Sequence, residues 1–327
     1  MHTIKDLQKL ISKEIQRETS RLNETEPKNL YEPIAYTLAM GGKRFRPVMV
    51  LLACNLFTDK IEKAIPAALA IEVFHNFTLL HDDIMDESAV RRNSPTVHKQ
   101  YNKNIAILSG DAMSIMAYNY LQQSQTNHLG DMVNLFSQTA LEVCEGQQLD
   151  MDFETRMNVS IPEYLNMIRL KTAVLLACSL KIGALAADAS KRMADLLYVF
   201  GLNLGIAFQL QDDLMDVFAD QQKFGKKIGG DIVSNKKTFL LLKALELSDH
   251  RIKKELLEWI DKKEFDPDEK IQAFKIIYTN LNIKDITVNC IEDFYQSAIN
   301  IWNEIDVARE TKEELLQLAH MIMDRDH

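Results

Sequence analysis

With 327 residues, 46% of them hydrophobic, the chain can bury a sizeable core as one large domain or two ordinary ones. A formal charge of −9 argues against nucleic acid or an anionic membrane surface as the primary partner, so basic groups that matter must be locally concentrated. Glycine (11) and proline (7) are sparse, and no proline interrupts Thr96 to Ile161 or Glu163 to Asp266, which fits long helices better than short strands.

The N-terminus alternates charge through Lys5, Asp6, Lys9, Lys13 and Glu14, a pattern without the apolar run of a secretion signal. Ile4, Leu7, Ile11 and Ile15 recur at helical spacing and predict an amphipathic opening helix, which the polar stretch Asn23 to Lys28 should end. Next comes a glycine pair followed by cations, Gly41-Gly42-Lys43-Arg44-Phe45-Arg46-Pro47. Arginine forks match phosphate oxygens and lysine adds a mobile charge, so this run can hold an anion.

Leu80-His81-Asp82-Asp83-Ile84-Met85-Asp86 follows, and 130 positions later a similar segment appears, Leu210-Gln211-Asp212-Asp213-Leu214-Met215-Asp216. Positions i and i+4 of a helix lie about 40° apart around its axis, so Asp82 stands beside Asp86 and Asp212 beside Asp216. Stacked carboxylates in apolar surroundings repel one another, and a hard divalent cation such as Mg²⁺ would offset that cost. Each cluster has cations just after it: Arg91-Arg92 after the first, and Lys226-Lys227 through Gly229-Gly230-Asp231 to Asn235-Lys236-Lys237-Thr238 after the second, on a stretch the glycines should make a loop.

Between the clusters, the most apolar window, Ala173 to Ala187, is broken by Lys181 and is too short to span a bilayer. Gly201 and Gly205 suggest close helix packing in a bundle rather than a membrane contact. Asp266-Pro267-Asp268-Glu269 has the composition of a helix start. Cys54, Cys144, Cys178 and Cys290 are scattered without metal-ligand spacing and read as reduced, buried structural thiols of a cytoplasmic protein.

Taken in order, these residues resemble the trans-isoprenyl diphosphate synthases, or polyprenyl synthetases. The likeness runs from Gly41 to about Leu242, through Gly-Gly-Lys-Arg-x-Arg-Pro, Glu72 with His75, both aspartate clusters, Arg91-Arg92, Gly146-Gln147 with Asp150, Lys171-Thr172, Gln209, and Lys226 to Lys236. The resemblance implies an all-α isoprenoid-synthase bundle, a single domain over residues 1–327, with the acidic clusters on facing helices around one deep central cavity. It implies that Lys43, Arg46, His75 and Arg92 hold the diphosphate of isopentenyl diphosphate. Asp82, Asp86 and Asp212 would ligate several Mg²⁺ ions with support from Asp83, Asp213 and Asp216, while Arg91, Lys171, Thr172, Gln209, Lys226 and Lys236 grip the allylic diphosphate. The catalytic set would be Asp82, Asp83, Asp86, Asp212, Lys171 and Lys226. The enzyme would be a homodimer.

In such enzymes, bulky residues just upstream of the first cluster close the tunnel for the growing chain. Phe74 and Phe77 are neighbours on one helix face and can form that floor, which favours geranylgeranyl diphosphate, with farnesyl diphosphate next. Two rivals make different demands. A terpene cyclase needs no second diphosphate site and leaves Lys43, Arg46 and Arg92 unused, and a His-Asp phosphohydrolase, suggested by His75 and His81-Asp82, leaves the second aspartate cluster without a role. A regulatory subunit of a heteromeric synthase would typically lack one cluster.

Overall fold

Thr3 opens the first helix with a reciprocal cap: its hydroxyl accepts from the Asp6 N–H at 3.2 Å, and its own N–H donates to the Asp6 carboxylate at 3.2 Å. The resulting helix, α1 (Ile4–Asn23), buries Ile4, Leu7, Ile11, Ile15 and Leu22, the stripe its spacing predicts. The computed structural model describes residues 2–219, 228–307 and 309–323, so Lys226 and Lys227 lie outside the described residues.

The remaining helices are α2 (Lys28–Ala39), α3 (Phe45–Asn55), α4 (Ile65–Met85), the single turn α5 (Val97–Gln100), α6 (Lys103–Leu121), α7 (Leu129–Thr155), α8 (Ile161–Ile168), α9 (Val174–Ala186) and α10 (Lys191–Phe218). After them come the short α11 (Gly230–Val233), then α12 (Phe239–Leu247), α13 (His250–Asp261), α14 (Pro267–Asn280), α15 (Ile283–Glu304) and α16 (Arg309–Met323). The only strands among the described residues form a two-residue hairpin, β1 (Val90–Arg91) with β2 (Ser94–Pro95). The predicted helix start at Asp266 is present: its carboxylate accepts from the N–H groups of Asp268 and Glu269, with Pro267 in the first turn.

Two compact units divide the chain. One comprises Met1–Ser137, Cys178–Tyr198 and Ile305–Leu318. Within it α4 packs most extensively on α6, and α3 is buried on every side from Pro47 to Asn55. A side chain at Gly183 would meet the Val50 carbonyl at 2.2 Å, which is why α9 approaches α3 through a glycine.

The other unit comprises Gln138–Ala177, Val199–Glu304 and Ala319–His327, with a core that includes Tyr164, Leu210, Leu214, Phe239, Phe274 and Tyr278. Its distinctive local feature is a π-helical turn, Arg169–Ala173, between α8 and α9. Two glycines let neighbouring helices close onto it: a Cβ at Gly146 on α7 would lie 2.3 Å from the Lys171 nitrogen, and one at Gly205 on α10 would lie 2.6 Å from the Ala173 Cα. Gly205 thus serves the close packing expected of it. Such turns leave the regular ladder and re-aim their side chains, here Lys171 and Thr172.

Two helical segments, Ile61–Met85 and Lys191–Phe218, are long and apolar enough to cross a membrane by length and composition. About half of each apolar window is buried inside the protein, 56% and 50%, and each carries an aspartate cluster near its C-terminal end, the pattern of core helices. The cysteines require two corrections. Cys54 and Cys178 are buried as expected, but Cys144 is exposed because it faces outward on α7, and Cys290 is only half-buried.

Candidate active site

Both aspartate clusters sit at the C-terminal ends of helices. On α4 the Asp86 N–H donates to the Asp82 carbonyl at 2.9 Å, which keeps the last turn helical and stacks the two side chains on one side. On α10 the cluster falls in the last two turns, before Phe218. A helix C-terminus carries roughly half a negative charge, so carboxylates there oppose the dipole as well as one another. Neither last turn contains a basic residue to relieve this. Only a cation from outside the helix makes the arrangement favourable. Among the described residues no group of three or more His, Cys, Asp or Glu side chains converges as a protein-only metal cage.

Fixed cations surround the first cluster. The Arg91 guanidinium grips Asp83 through Nε at 2.8 and 2.9 Å and Nη2 at 2.8 Å, and stands 3.7 Å from Asp82. The hairpin turn places Arg92 and Asn93 at φ 51° and 61°, a left-handed pair that twists correctly between two-residue strands but costs about 1 kcal/mol or more at a side chain as large as Arg92. That turn delivers Arg92 to the glycine pair, where its guanidinium donates to the Gly41 carbonyl. A Cβ at Gly42 would lie 2.8–3.0 Å from the guanidinium, and its φ of +126° suits glycine alone. The glycine pair therefore cradles Arg92.

Beside it, Arg46 Nη1 lies 3.2 Å from His75 Nε2. The guanidinium can only donate, so the histidine accepts at Nε2 and carries its proton on Nδ1. Burial, followed by the charges of Arg46, Arg92, Arg91 and Arg44, holds His75 well below its ordinary pKa and therefore neutral. Arg44, in turn, pairs with buried Glu72, which also accepts from Asn76 at 2.8 Å. The Lys43 ammonium rests 5.6 Å from the Phe45 ring centroid. The result is a concentrated patch of positive charge around a neutral histidine, suited to an anion such as diphosphate.

In the other unit, a small cleft of about 30 Å³ is lined by Asp150, Tyr164, Lys171, Thr172, Gln209, Asp213 and Lys236, among others. A hydrogen-bond chain organises it. Thr172 donates to Gln209 at 2.9 Å, Gln209 donates to Asp213 at 3.0 Å, and the buried Tyr164 hydroxyl donates to the other Asp213 oxygen. Burial raises Asp213 to about 7, opposed by Lys236 and by the hydrogen bonds from Tyr164 and Gln209. Asp231 is likewise raised to about 6, chiefly by burial, while its charge and that of Asp213 hold Lys236 firmly protonated. Lys171 pairs with Asp150 at 2.6 Å. Asp216 has a local role as well, because its carboxylate accepts from the Asp231 N–H at 3.0 Å and so anchors α11.

Sequence reasoning thus picked out two acidic helix ends with their cations, but it missed Tyr164. A lone tyrosine at helical spacing among apolar residues looks like core until its hydroxyl is located. The loop expected after the second cluster is also partly wrong, since Gly230–Val233 forms a helical turn behind Gly229 at φ +85°.

Residues 27–277 match the family model described as polyprenyl synthetase. The chain belongs to this family. It is accordingly an enzyme, a prenyltransferase with the all-α isoprenoid-synthase fold. It is 39% identical over 280 residues to a geranylgeranyl diphosphate synthase of Sulfolobus acidocaldarius, covering 84% of each chain. A crystal structure of a geranylgeranyl pyrophosphate synthase is 44% identical and superposes with a TM-score of 0.93 over 99% of both chains. A polyprenyl synthase from Caulobacter crescentus, solved in complex with calcium and isoprenyl diphosphate, is 26% identical with a TM-score of 0.87, over 99% of this chain and 97% of that one. Neither the cyclase nor the phosphohydrolase alternative is favoured by these relationships.

In this polyprenyl synthetase the two upstream phenylalanines differ. Phe74 is buried edge-on against Phe136, with centroids 5.1 Å apart, while Phe77 is half-buried, 5.4 Å from Phe74 and 4.8 Å from His81. His81 is a packing residue: its Nε2–H donates to the Ile107 carbonyl at 3.1 Å, and a Cβ at Gly110 would collide with its ring at 2.2 Å.

Proposed function

We propose that this short-chain trans-prenyltransferase condenses isopentenyl diphosphate with an allylic diphosphate to make geranylgeranyl diphosphate, the whole chain acting as one catalytic domain. The observation that carries the reading is the placement of both aspartate clusters at helix C-termini beside fixed cations, where stacked carboxylates opposing the helix dipole favour further positive charge such as bound metal ions. Asp82, Asp86 and Asp212 would hold Mg²⁺, with Asp83, Asp213 and Asp216 supporting them. When bound, the metal draws electron density from the allylic diphosphate and lowers the cost of its departure.

The chain's own groups do the rest. Lys43, Arg46 and Arg92 bind the isopentenyl diphosphate, and neutral His75 accepts from Arg46 and so fixes the guanidinium's orientation. Lys171, Thr172, Gln209 and Lys236, together with Lys226, hold the allylic diphosphate, and Arg91 adds charge from its seat on Asp83. As the allylic C–O bond breaks, its electrons leave with diphosphate. The isopentenyl alkene attacks the resulting carbocation to form the new C–C bond, and the departing pyrophosphate takes the proton whose loss restores a double bond. No side-chain nucleophile takes part. Phe77, whose half-buried ring is the more accessible of the two phenylalanines, sets the chain length. Names of relatives support a C20 product, and the enzyme acts as a cytoplasmic homodimer.

The test is to incubate purified protein and Mg²⁺ with isopentenyl diphosphate and dimethylallyl, geranyl or farnesyl diphosphate in turn, then identify the dephosphorylated alcohols. Geranylgeraniol is expected. A hydrocarbon made from the allylic substrate alone, or phosphate release without isopentenyl diphosphate consumption, would reject the reading.

A further inference from the structure

Lys270 is a fully buried lysine, 0% exposed, in the first turn of α14. Among the described residues no carboxylate pairs with it, and burial pulls its pKa below the usual lysine value. Burying an ammonium is costly unless hydrogen bonds and charge compensate. Its partners are few and specific. The Nζ donates to the Asn235 side-chain oxygen at 2.6 Å and approaches the Val233 carbonyl at 3.5 Å, while the rings of Phe265 and Phe274 lie 4.2 and 5.9 Å away.

Both polar contacts fall on the segment that ends in Lys236. Asn235 is left-handed, φ 57°, and its amide also donates to the Ile260 carbonyl at 3.1 Å. At the other end of the segment Gly229 packs against Ile271, the residue after Lys270, closely enough that a Cβ would sit 2.7 Å from it. Two consecutive residues of α14 therefore pin this strap at Gly229 and at Asn235. From the second pin the chain turns inward, where the Lys236 N–H bonds the Asp231 carbonyl at 2.9 Å and its ammonium stands 4.0 Å from the Asp231 carboxylate. An apolar residue of similar shape would fill the site of Lys270 without the desolvation cost. A lysine there is explained by the strap it holds.

We infer that Lys270 is a positioning residue for the allylic diphosphate site, holding Asn235 so that Lys236 presents its ammonium to the substrate. This rests on the role proposed for Lys236. Loss of one charge-assisted hydrogen bond at the strap is expected to weaken allylic binding about tenfold.

Steady-state kinetics at saturating Mg²⁺ on Lys270→Met, Asn235→Gly and Lys236→Met, with geranyl diphosphate and isopentenyl diphosphate varied separately, test it. Asn235→Gly tolerates the left-handed backbone while deleting the acceptor, and it decides the matter if Lys270→Met fails to fold by circular dichroism. The expected result is a KM for geranyl diphosphate raised about tenfold in Lys270→Met and Asn235→Gly, with the KM for isopentenyl diphosphate within about twofold of wild type. If Lys236→Met raises the geranyl diphosphate KM but the other two do not, or if they raise both KM values alike, the positioning role is overturned. If Lys236→Met leaves that KM unchanged, the proposed role of Lys236 fails first and the inference falls with it.

Discussion

Replacing Tyr164 with phenylalanine removes one oxygen from the interior and leaves the ring packed in the core. Tyr164 is 1% exposed, and its hydroxyl donates to Asp213, which is 3% exposed and raised to about 7. A hydrogen bond to a charged group at such a site contributes roughly 1.5–3 kcal/mol, equivalent to about ten- to a hundredfold in an equilibrium constant. The sign follows from the acid. Tyr164 stabilises the carboxylate and lowers the pKa of Asp213, so deleting it pushes that pKa higher. At pH 7 more of the variant carries a proton that a supporting carboxylate must lose before Mg²⁺ binds nearby. The assay is a Mg²⁺ titration of initial rates with labelled isopentenyl diphosphate at pH 7 and pH 9. Half-saturating Mg²⁺ should rise about fivefold at pH 7 and less at pH 9, and the acid limb of the kcat/KM profile should move up by about one pH unit, with the far-UV circular dichroism unchanged. An unchanged Mg²⁺ requirement with an unmoved acid limb would refute the coupling between Tyr164 and the second cluster.

Three further outcomes are expected. Gly42→Ala forces a Cβ against the Arg92 guanidinium at a φ of +126°, so it should raise the KM for isopentenyl diphosphate about tenfold and leave the allylic KM near wild type, read from the same kinetics. Phe77→Ala should lengthen the product by chromatography of the alcohols, whereas Phe74→Ala, which empties a buried site against Phe136, should cost about 3–5 kcal/mol of stability in denaturant unfolding. Asp213→Asn removes a carboxyl whose folded pKa of about 7 lies above its ordinary 3.8. The native fold carries the cost of that buried charge fully above pH 7 and not at all below about pH 4, so in EDTA the variant should melt higher than wild type at pH 8, with the gain vanishing toward pH 4. A difference constant across that range would mean that Asp213 does not titrate as a buried acid.

Much of the site was legible because its chemistry is local. Asp82 with Asp86, and Asp212 with Asp216, lie one helical turn apart, and Gly41-Gly42 adjoins the cations it serves, so spacing alone announced them. The dipole conflict at both helix ends needed only the helix boundaries in addition. The less legible groups act across long separations. Tyr164 reaches Asp213 over 49 positions and Lys270 reaches Asn235 over 35, and nothing in their own neighbourhoods distinguishes them from core or surface residues. The seat of Arg91 on Asp83, eight positions away, was equally hidden, because the left-handed turn at Arg92 and Asn93 folds the hairpin back on α4.

The helical architecture and the acidic helix faces follow from the sequence by itself, because the 3.6-residue period and the rarity of glycine and proline act on each segment independently of the rest. Which hydroxyl steadies Asp213, which lysine holds the strap before Lys236 and which phenylalanine stays accessible were decided only by tertiary packing. Burial turns an ordinary side chain into a partner by removing the water that would otherwise satisfy its neighbour, and that depends on what the whole fold brings alongside.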